Sequence, residues 1–84
     1  MISYDFTKVA EREFLKLPKD AQRRIIKKVE FYLSAPNPLA FAKRLTGDSL
    51  ASYRFQIGNY RAVFDWEGKS ILITRVGHRR EIYH

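Results

Sequence analysis

The sequence predicts an α+β fold of order β-α-α-β-β-β, with a helical hairpin packed on one face of an antiparallel sheet. Three observations carry this. Side chains alternate with period two at the start of the chain and again through residues 52–76. Apolar residues recur about every four positions between Ala10 and Leu33. Proline clusters and glycine dipeptides punctuate the joins.

Ile2, Tyr4 and Phe6 alternate with Ser3 and Asp5 and read as a first strand. Thr7 can cap the following helix through its hydroxyl. Ala10, Phe14 and Leu17 form one face of that helix, and Pro18 breaks it and opens the next. Ala21, Ile25, Val29 and Leu33 then make an apolar stripe, with Lys19, Arg23, Lys27 and Lys28 off it as a basic outer face. Ala35-Pro36-Asn37-Pro38 stops this helix. Residues 39–49 read as a connection with a turn at Gly47-Asp48. Three strand-like runs follow: Ser52–Ile57, Tyr60–Trp66 and Ser70–Val76. Gly58-Asn59 between the first two is a strong hairpin signal, and Glu67-Gly68-Lys69 makes a second short loop.

Period two also sorts side chains onto faces. Tyr53, Phe55 and Ile57 oppose Arg54 and Gln56, and Tyr60, Ala62, Phe64 and Trp66 oppose Arg61, Val63 and Asp65. In the last run Ile71, Ile73 and Arg75 oppose Leu72, Thr74 and Val76. Arg54 and Arg61 can then be cross-strand neighbours on a surface face. Either each pairs with a nearby carboxylate or snorkels at the edge, or an anion sits between them. On that face Arg61 is expected to be exposed and to tolerate replacement.

Eighty-four residues suit one domain spanning 1–84. The absence of cysteine excludes disulfides, a thiolate nucleophile and cysteine-based metal sites. Two histidines and no cysteine argue against a structural metal site. The first residues lack the basic start and apolar run of a signal peptide, and no stretch approaches a membrane span, so a cytoplasmic location is expected. Sixteen Lys and Arg against nine Asp and Glu leave +7. Residues 1–42 carry eight basic and five acidic groups and residues 43–84 eight and four, so the charge is spread over a folded body. Such a body favours a polyanionic partner.

The run Arg75-Val76-Gly77-His78-Arg79-Arg80-Glu81-Ile82-Tyr83-His84 sets arginines, histidines and a tyrosine beyond a strand that Gly77 can bend. There is no phosphate-binding glycine loop, no nucleophile elbow and no metal-ligand cluster. The chemical tools are guanidinium, phenol and imidazole. They suit cleavage of RNA without metal or cofactor. There the substrate's own 2′-hydroxyl attacks, and the protein positions it, moves protons and neutralises the phosphorane. Taken singly, Tyr83 also reads as a terminal packing aromatic, His78 as a solvated strand-end residue and His84 as a frayed end.

Four segments occur together: Lys16-Leu17-Pro18; Arg44-Leu45-Thr46-Gly47; Tyr53-Arg54-Phe55-Gln56-Ile57-Gly58-Asn59-Tyr60-Arg61-Ala62-Val63-Phe64; and Val76-Gly77-His78-Arg79-Arg80-Glu81-Ile82-Tyr83. In this order they closely resemble the RelE/ParE superfamily of toxin–antitoxin toxins. The resemblance covers nearly the whole chain and is most specific in the hairpin and the "GHRREIY" ending. It implies the fold above and neutralisation by a cognate antitoxin protein. The RelE branch is a ribosome-dependent endoribonuclease that cuts mRNA in the aminoacyl site. The ParE branch poisons DNA gyrase and generally lacks the catalytic set.

The RelE pattern falls on Arg54, Arg61, Arg79 and Tyr83. A second basic residue of the family falls on Gln56, so that charge is missing, and His78 or His84 can compensate. RelE-type chemistry then implies that Arg61 and Arg79 bind the scissile phosphate and Arg54 adds charge. Tyr83 acts as general base with a phenol depressed by the arginines, and a histidine protonates the leaving group. Lys19, Arg23, Lys27, Lys28, Lys43, Arg44 and Arg80 would hold the ribosome and mRNA through phosphates, or the helix face is simply solvated. No membrane and no small-molecule cofactor is implied. A ParE-type gyrase toxin and a small basic RNA-binding module are the competing readings.

Overall fold

The chain, seen in a computed structural model that describes residues 2–45 and 52–82, begins with strand β1 (Ser3–Phe6). Its alternation turns Tyr4 and Phe6 to one side, where the Phe6 ring meets Phe14 at 5.3 Å. Thr7 caps helix α1 (Lys8–Leu15), its hydroxyl accepting from the Ala10 N–H at 3.1 Å. Pro18 sits at the N-cap of α2 (Lys19–Leu33). Gln22 is buried at this corner, and its amide donates to the carbonyls of Leu15 and Leu17 at 3.3 and 2.9 Å. Leu15 ends α1 and Leu17 lies just past it, so this amide ties the end of the first helix to the start of the second.

Ala21, Ile25, Val29 and Leu33 are buried, as the four-residue spacing predicts. Ile25, Val29 and Leu33 join Ala10, Phe55, Ile57, Phe64, Ile71, Ile73 and Val76 in one core between the helices and the sheet. Phe55 and Phe64 meet with ring centroids 4.5 Å apart. Truncating either to alanine would cost about 3–5 kcal/mol.

The segment after α2 is more ordered than expected. A 3-10 turn (Pro38–Phe41) leads into strand β2 (Ala42–Arg44), which pairs antiparallel with β3 (Ser52–Ile57). The expected turn at Gly47-Asp48 lies outside the described residues. β4 (Tyr60–Trp66) and β5 (Ser70–His78) complete a five-stranded sheet of order β1-β5-β4-β3-β2. The sheet is mixed, because β1 runs parallel to β5. Two helices and three strands separate β1 from β5 along the chain, far more than a parallel pair needs. The α+β class and the helical hairpin on the sheet stand as the sequence predicts.

Two features of β5 differ from strict alternation. A bulge places Thr74 between the pairs Val63–Arg75 and Phe64–Ile73. It shifts the phase by one, so Val76 rather than Arg75 joins Ile71 and Ile73 in the core. Arg75 turns to α1 instead. Its Nε lies 3.0 and 3.1 Å from the two Glu13 carboxylate oxygens, and its Nη2 lies 2.9 Å from Oε2. Hydrogen bonding to Glu13 and then its charge raise the Arg75 pKa further above its ordinary value. Glu13 also accepts the Val76 N–H at 3.0 Å, beyond the point where β1 ends at Phe6. Gly77 does not bend the chain. It is buried within β5, which runs on to His78 before the short helix α3 (Arg79–Ile82). Among the described residues no helix is long and apolar enough to cross a membrane.

Candidate functional site around the β3–β4 turn

Ile57 pairs with Tyr60 across a two-residue loop, and Gly58 takes a left-handed φ of +61° as its first residue. Glycine at that position is what a tight type II′ hairpin requires. The turn lies beside the end of β5, because Tyr60 pairs with His78 and Arg61 with Gly77. It is also tied to α3, whose first residue, Arg79, donates its N–H to the Asn59 carbonyl at 2.9 Å. The hairpin, the end of β5 and the start of α3 thus bring Arg61, His78 and Arg79 to one end of the sheet, with His78 on the Tyr60 face and Arg61 on the other.

Arg61 is the residue on which expectation and structure differ most. It stands on the sheet face opposite Ala62 and Phe64, as period two requires, yet it is only 6% exposed. Period two assigns a face and says nothing about what covers it. α3 packs on β5 and β4 next to this position. Gly77, the register partner, brings no side chain there. The Arg61 Nη1 donates to the carbonyls of Tyr60 and Gly58 at 3.1 and 3.4 Å. Its Nε is buried and has no hydrogen-bond partner among the described residues. A buried donor without an acceptor costs about 1–3 kcal/mol, so Arg61 is held there against a penalty.

His78 is half-buried, and its ring meets Tyr60 edge-on at 5.9 Å. Its Nδ1 accepts the Arg80 N–H at 3.2 Å. In the neutral ring the proton is then on Nε2, the nitrogen left to donate. The Arg79 and Arg80 side chains belong to exposed residues. Arg54 is half-buried on β3, between Lys43 on β2 and Val63 on β4. It is not directly opposite Arg61, whose partner is Gln56, so the two arginines are diagonal neighbours on one face. Tyr83 and His84 lie outside the described residues. Lys19, Arg23, Lys27 and Lys28 are exposed on α2, and Lys43 and Arg44 are exposed on edge strand β2.

One cation near this corner escapes the pattern reading. A methyl group placed on Gly58 would come within 3.9 Å of Arg24 Nη1, so Arg24 reaches from α2 to the hairpin turn. The only hint in the sequence is its place beside Ile25 on the flank of the apolar stripe. Among the described residues no group of three or more His, Asp or Glu side chains is arranged to hold a metal ion.

The family of the ParE toxin of type II toxin–antitoxin systems, parDE, matches residues 4–83. No curated protein matches the chain. Among solved structures, the RelBE2 toxin–antitoxin complex from Mycobacterium tuberculosis contains a chain 26% identical to this one. The match covers 93% of this chain and 98% of that one at a TM-score of 0.81. The isolated RelE toxin from E. coli is 26% identical, with 99% and 92% covered and a TM-score of 0.75. The RelB–RelE antitoxin–toxin complex from Methanococcus jannaschii gives 26%, 93%, 93% and 0.72. With the family match running from residue 4 to residue 83 and RelE chains sharing the fold over more than nine-tenths of their length, the chain belongs to the RelE/ParE superfamily of type II toxin–antitoxin toxins.

Proposed function

We propose that this toxin is a ribosome-dependent endoribonuclease that cuts mRNA by attack of the 2′-hydroxyl, and that it acts as one cytoplasmic domain. The observation that carries the reading is the Arg61 guanidinium, fixed through Nη1 at the β3–β4 turn to which the Arg79 backbone is also bonded. A phosphate oxygen is the natural acceptor for such a donor.

In this mechanism Arg61 and Arg79 hold the scissile phosphate and stabilise the charge that builds on it. Arg54 adds positive potential from the same face. Tyr83, assigned from the sequence, removes the 2′-hydroxyl proton. The 2′-oxygen forms a bond to phosphorus and the bond to the 5′-oxygen breaks, giving a 2′,3′-cyclic phosphate and a 5′-hydroxyl end. A protonated histidine gives the leaving oxygen its proton: His84, or His78, which lies on the Tyr60 face and as imidazolium would give up the Arg80 N–H bond at Nδ1. No metal enters the scheme. Lys19, Arg23, Lys27, Lys28, Lys43, Arg44 and Arg80 contact ribosomal and message phosphates.

The partner that silences the toxin is a cognate antitoxin, as the complexes of RelB with RelE suggest. A groove of about 380 Å³ between α1 and α2, lined by Phe14, Gln22, Arg23, Ile26, Lys27 and Glu30, suits an acidic segment with apolar side chains.

A second reading is a non-catalytic ParE-type toxin acting on DNA gyrase, favoured by the ParE family match. Induction in bacteria separates the two. Translation arrest with cut messages supports the nuclease. An SOS response with intact messages supports the gyrase toxin and overturns the proposal.

A further inference from the structure

We propose that the aromatic and basic face formed by α2 and the 3-10 turn is a stacking platform for the message strand whose phosphate lies at Arg61. This rests on the nuclease reading above and adds a substrate subsite to it.

Phe31 is 60% exposed and Phe41 46%. Tyr32 stacks on Phe41 at 4.8 Å with ring planes 18° apart, and Phe31 lies 6.1 Å from Phe41. Lys28 Nζ stands 5.7 Å from the centre of the Phe31 ring and 5.9 Å from that of Tyr32. A recess of about 210 Å³ beside them is lined by Arg24, Lys27, Lys28 and Phe31. Three cations and one aromatic ring therefore share a small concavity that, among the described residues, no carboxylate lines. Glu30, the nearest carboxylate in sequence, is engaged elsewhere, accepting the Tyr4 hydroxyl at 2.9 Å.

Clustered like charges are repulsive unless an anion joins them. Exposed flat rings among cations match a partner with phosphates and flat bases, which is single-stranded nucleic acid. A peptide with acidic side chains alone would answer the charges and leave the rings without a matching surface.

The patch is continuous with the Arg61 corner. Arg24 Nη1 approaches Gly58, and the Gly58 carbonyl accepts from Arg61. From Arg24 to Phe31 is about 10 Å of helix axis. That distance holds about three stacked bases at roughly 3.4 Å each. A strand with its phosphate at Arg61 would therefore turn around the β3–β4 hairpin at Gly58, pass Arg24, and lay bases several nucleotides away on Phe31 and Phe41.

The test uses labelled oligonucleotides carrying 2′-O-methyl groups, which cannot be cleaved. Binding of a trinucleotide and of an octanucleotide to the toxin is followed by fluorescence anisotropy at low salt. Phe31→Ala and Phe41→Ala should each weaken the octanucleotide about ten-fold and leave the trinucleotide within about two-fold. Phe31→Leu, apolar but without a ring, should behave like Phe31→Ala, and Phe31→Trp should restore binding. The Phe31 variants should melt close to the parent, because that ring is mostly exposed, and Phe41→Ala should melt slightly lower through loss of its stack on Tyr32.

The inference is overturned if the octanucleotide binds no tighter than the trinucleotide, or if the variants bind it as the parent does. It is also overturned if they lose only the binding of an acidic antitoxin peptide. Ring-independent binding alongside cut messages leaves the nuclease reading standing and removes the platform. Ring-dependent binding alongside intact messages keeps an RNA platform and removes the nuclease.

Discussion

The N–H of Arg79 donates to the carbonyl of Asn59 at 2.9 Å, so α3 starts where the β3–β4 hairpin turns. One backbone bond thereby links the element that carries Arg61 to the element that carries Arg79. The shape of a two-residue turn sets the geometry of the whole corner, and that shape depends on Gly58.

Gly58→Ala tests this dependence. The added methyl would meet Arg24 at an ordinary contact distance of 3.9 Å, so crowding is not the penalty. The penalty is the left-handed backbone at φ +61°, about 1–2 kcal/mol for a residue with a Cβ. We expect a melting temperature lower by several degrees and weaker cleavage. An alanine variant as stable as the parent would contradict the turn assignment.

Arg61→Ala should cost both stability and activity. It removes the donor to two hairpin carbonyls, a loss of about 1–2 kcal/mol. It also removes a preorganised donor to the phosphate, which should lower cleavage by about 10²–10³. Arg61→Lys keeps a charge but not the planar fork and should recover only part of the activity. Cleavage is measured on ribosome-bound message, with thermal unfolding giving the folded fraction. An activity loss that disappears once the folded fraction is counted would make Arg61 purely structural.

Tyr83→Phe removes one hydroxyl. If Tyr83 is the general base, cleavage should fall by about 10²–10⁴ while RNA binding hardly changes. An equally active variant would move the base to another residue, with His78 and His84 the next to test.

Glu13→Ala probes the scaffold away from the site. Glu13 joins α1 to β5 through Arg75 and the Val76 N–H, just past the bulge at Thr74. Its loss should reduce stability by about 1–3 kcal/mol in urea unfolding, because the Val76 N–H is left without its acceptor. Glu13→Gln keeps an acceptor and should lose less. Equal stability of parent and alanine variant would show that this tie contributes nothing.

The helices and central strands were legible because their signals are local. The Thr7 cap, the Ala21-Ile25-Val29-Leu33 stripe and the Gly58-Asn59 turn each lie within a few residues of one another. The missed features depend on distant partners. Ala42-Lys43-Arg44 is too short and too polar to show a period, and it becomes a strand only by pairing with β3. The parallel placement of β1 follows from its pairing with β5, which alternation does not encode. The bulge at Thr74 exchanges Arg75 for Val76 in the core with no local mark in the sequence. At the site, the arginines were recognisable from their order along the chain. The burial of Arg61 and the approach of Arg24 to Gly58 were not, because both come from elements remote in sequence or from what covers a face.

The central claim is that the Arg61 corner cuts RNA, and one experiment addresses it directly. Purified toxin is added to ribosomes stalled on a defined message, the message ends are mapped, and gyrase supercoiling is assayed in parallel with the same preparation. We expect discrete breaks bearing 2′,3′-cyclic phosphate ends, greatly reduced with Arg61→Ala, and unchanged supercoiling. Intact messages together with inhibited supercoiling would contradict the account.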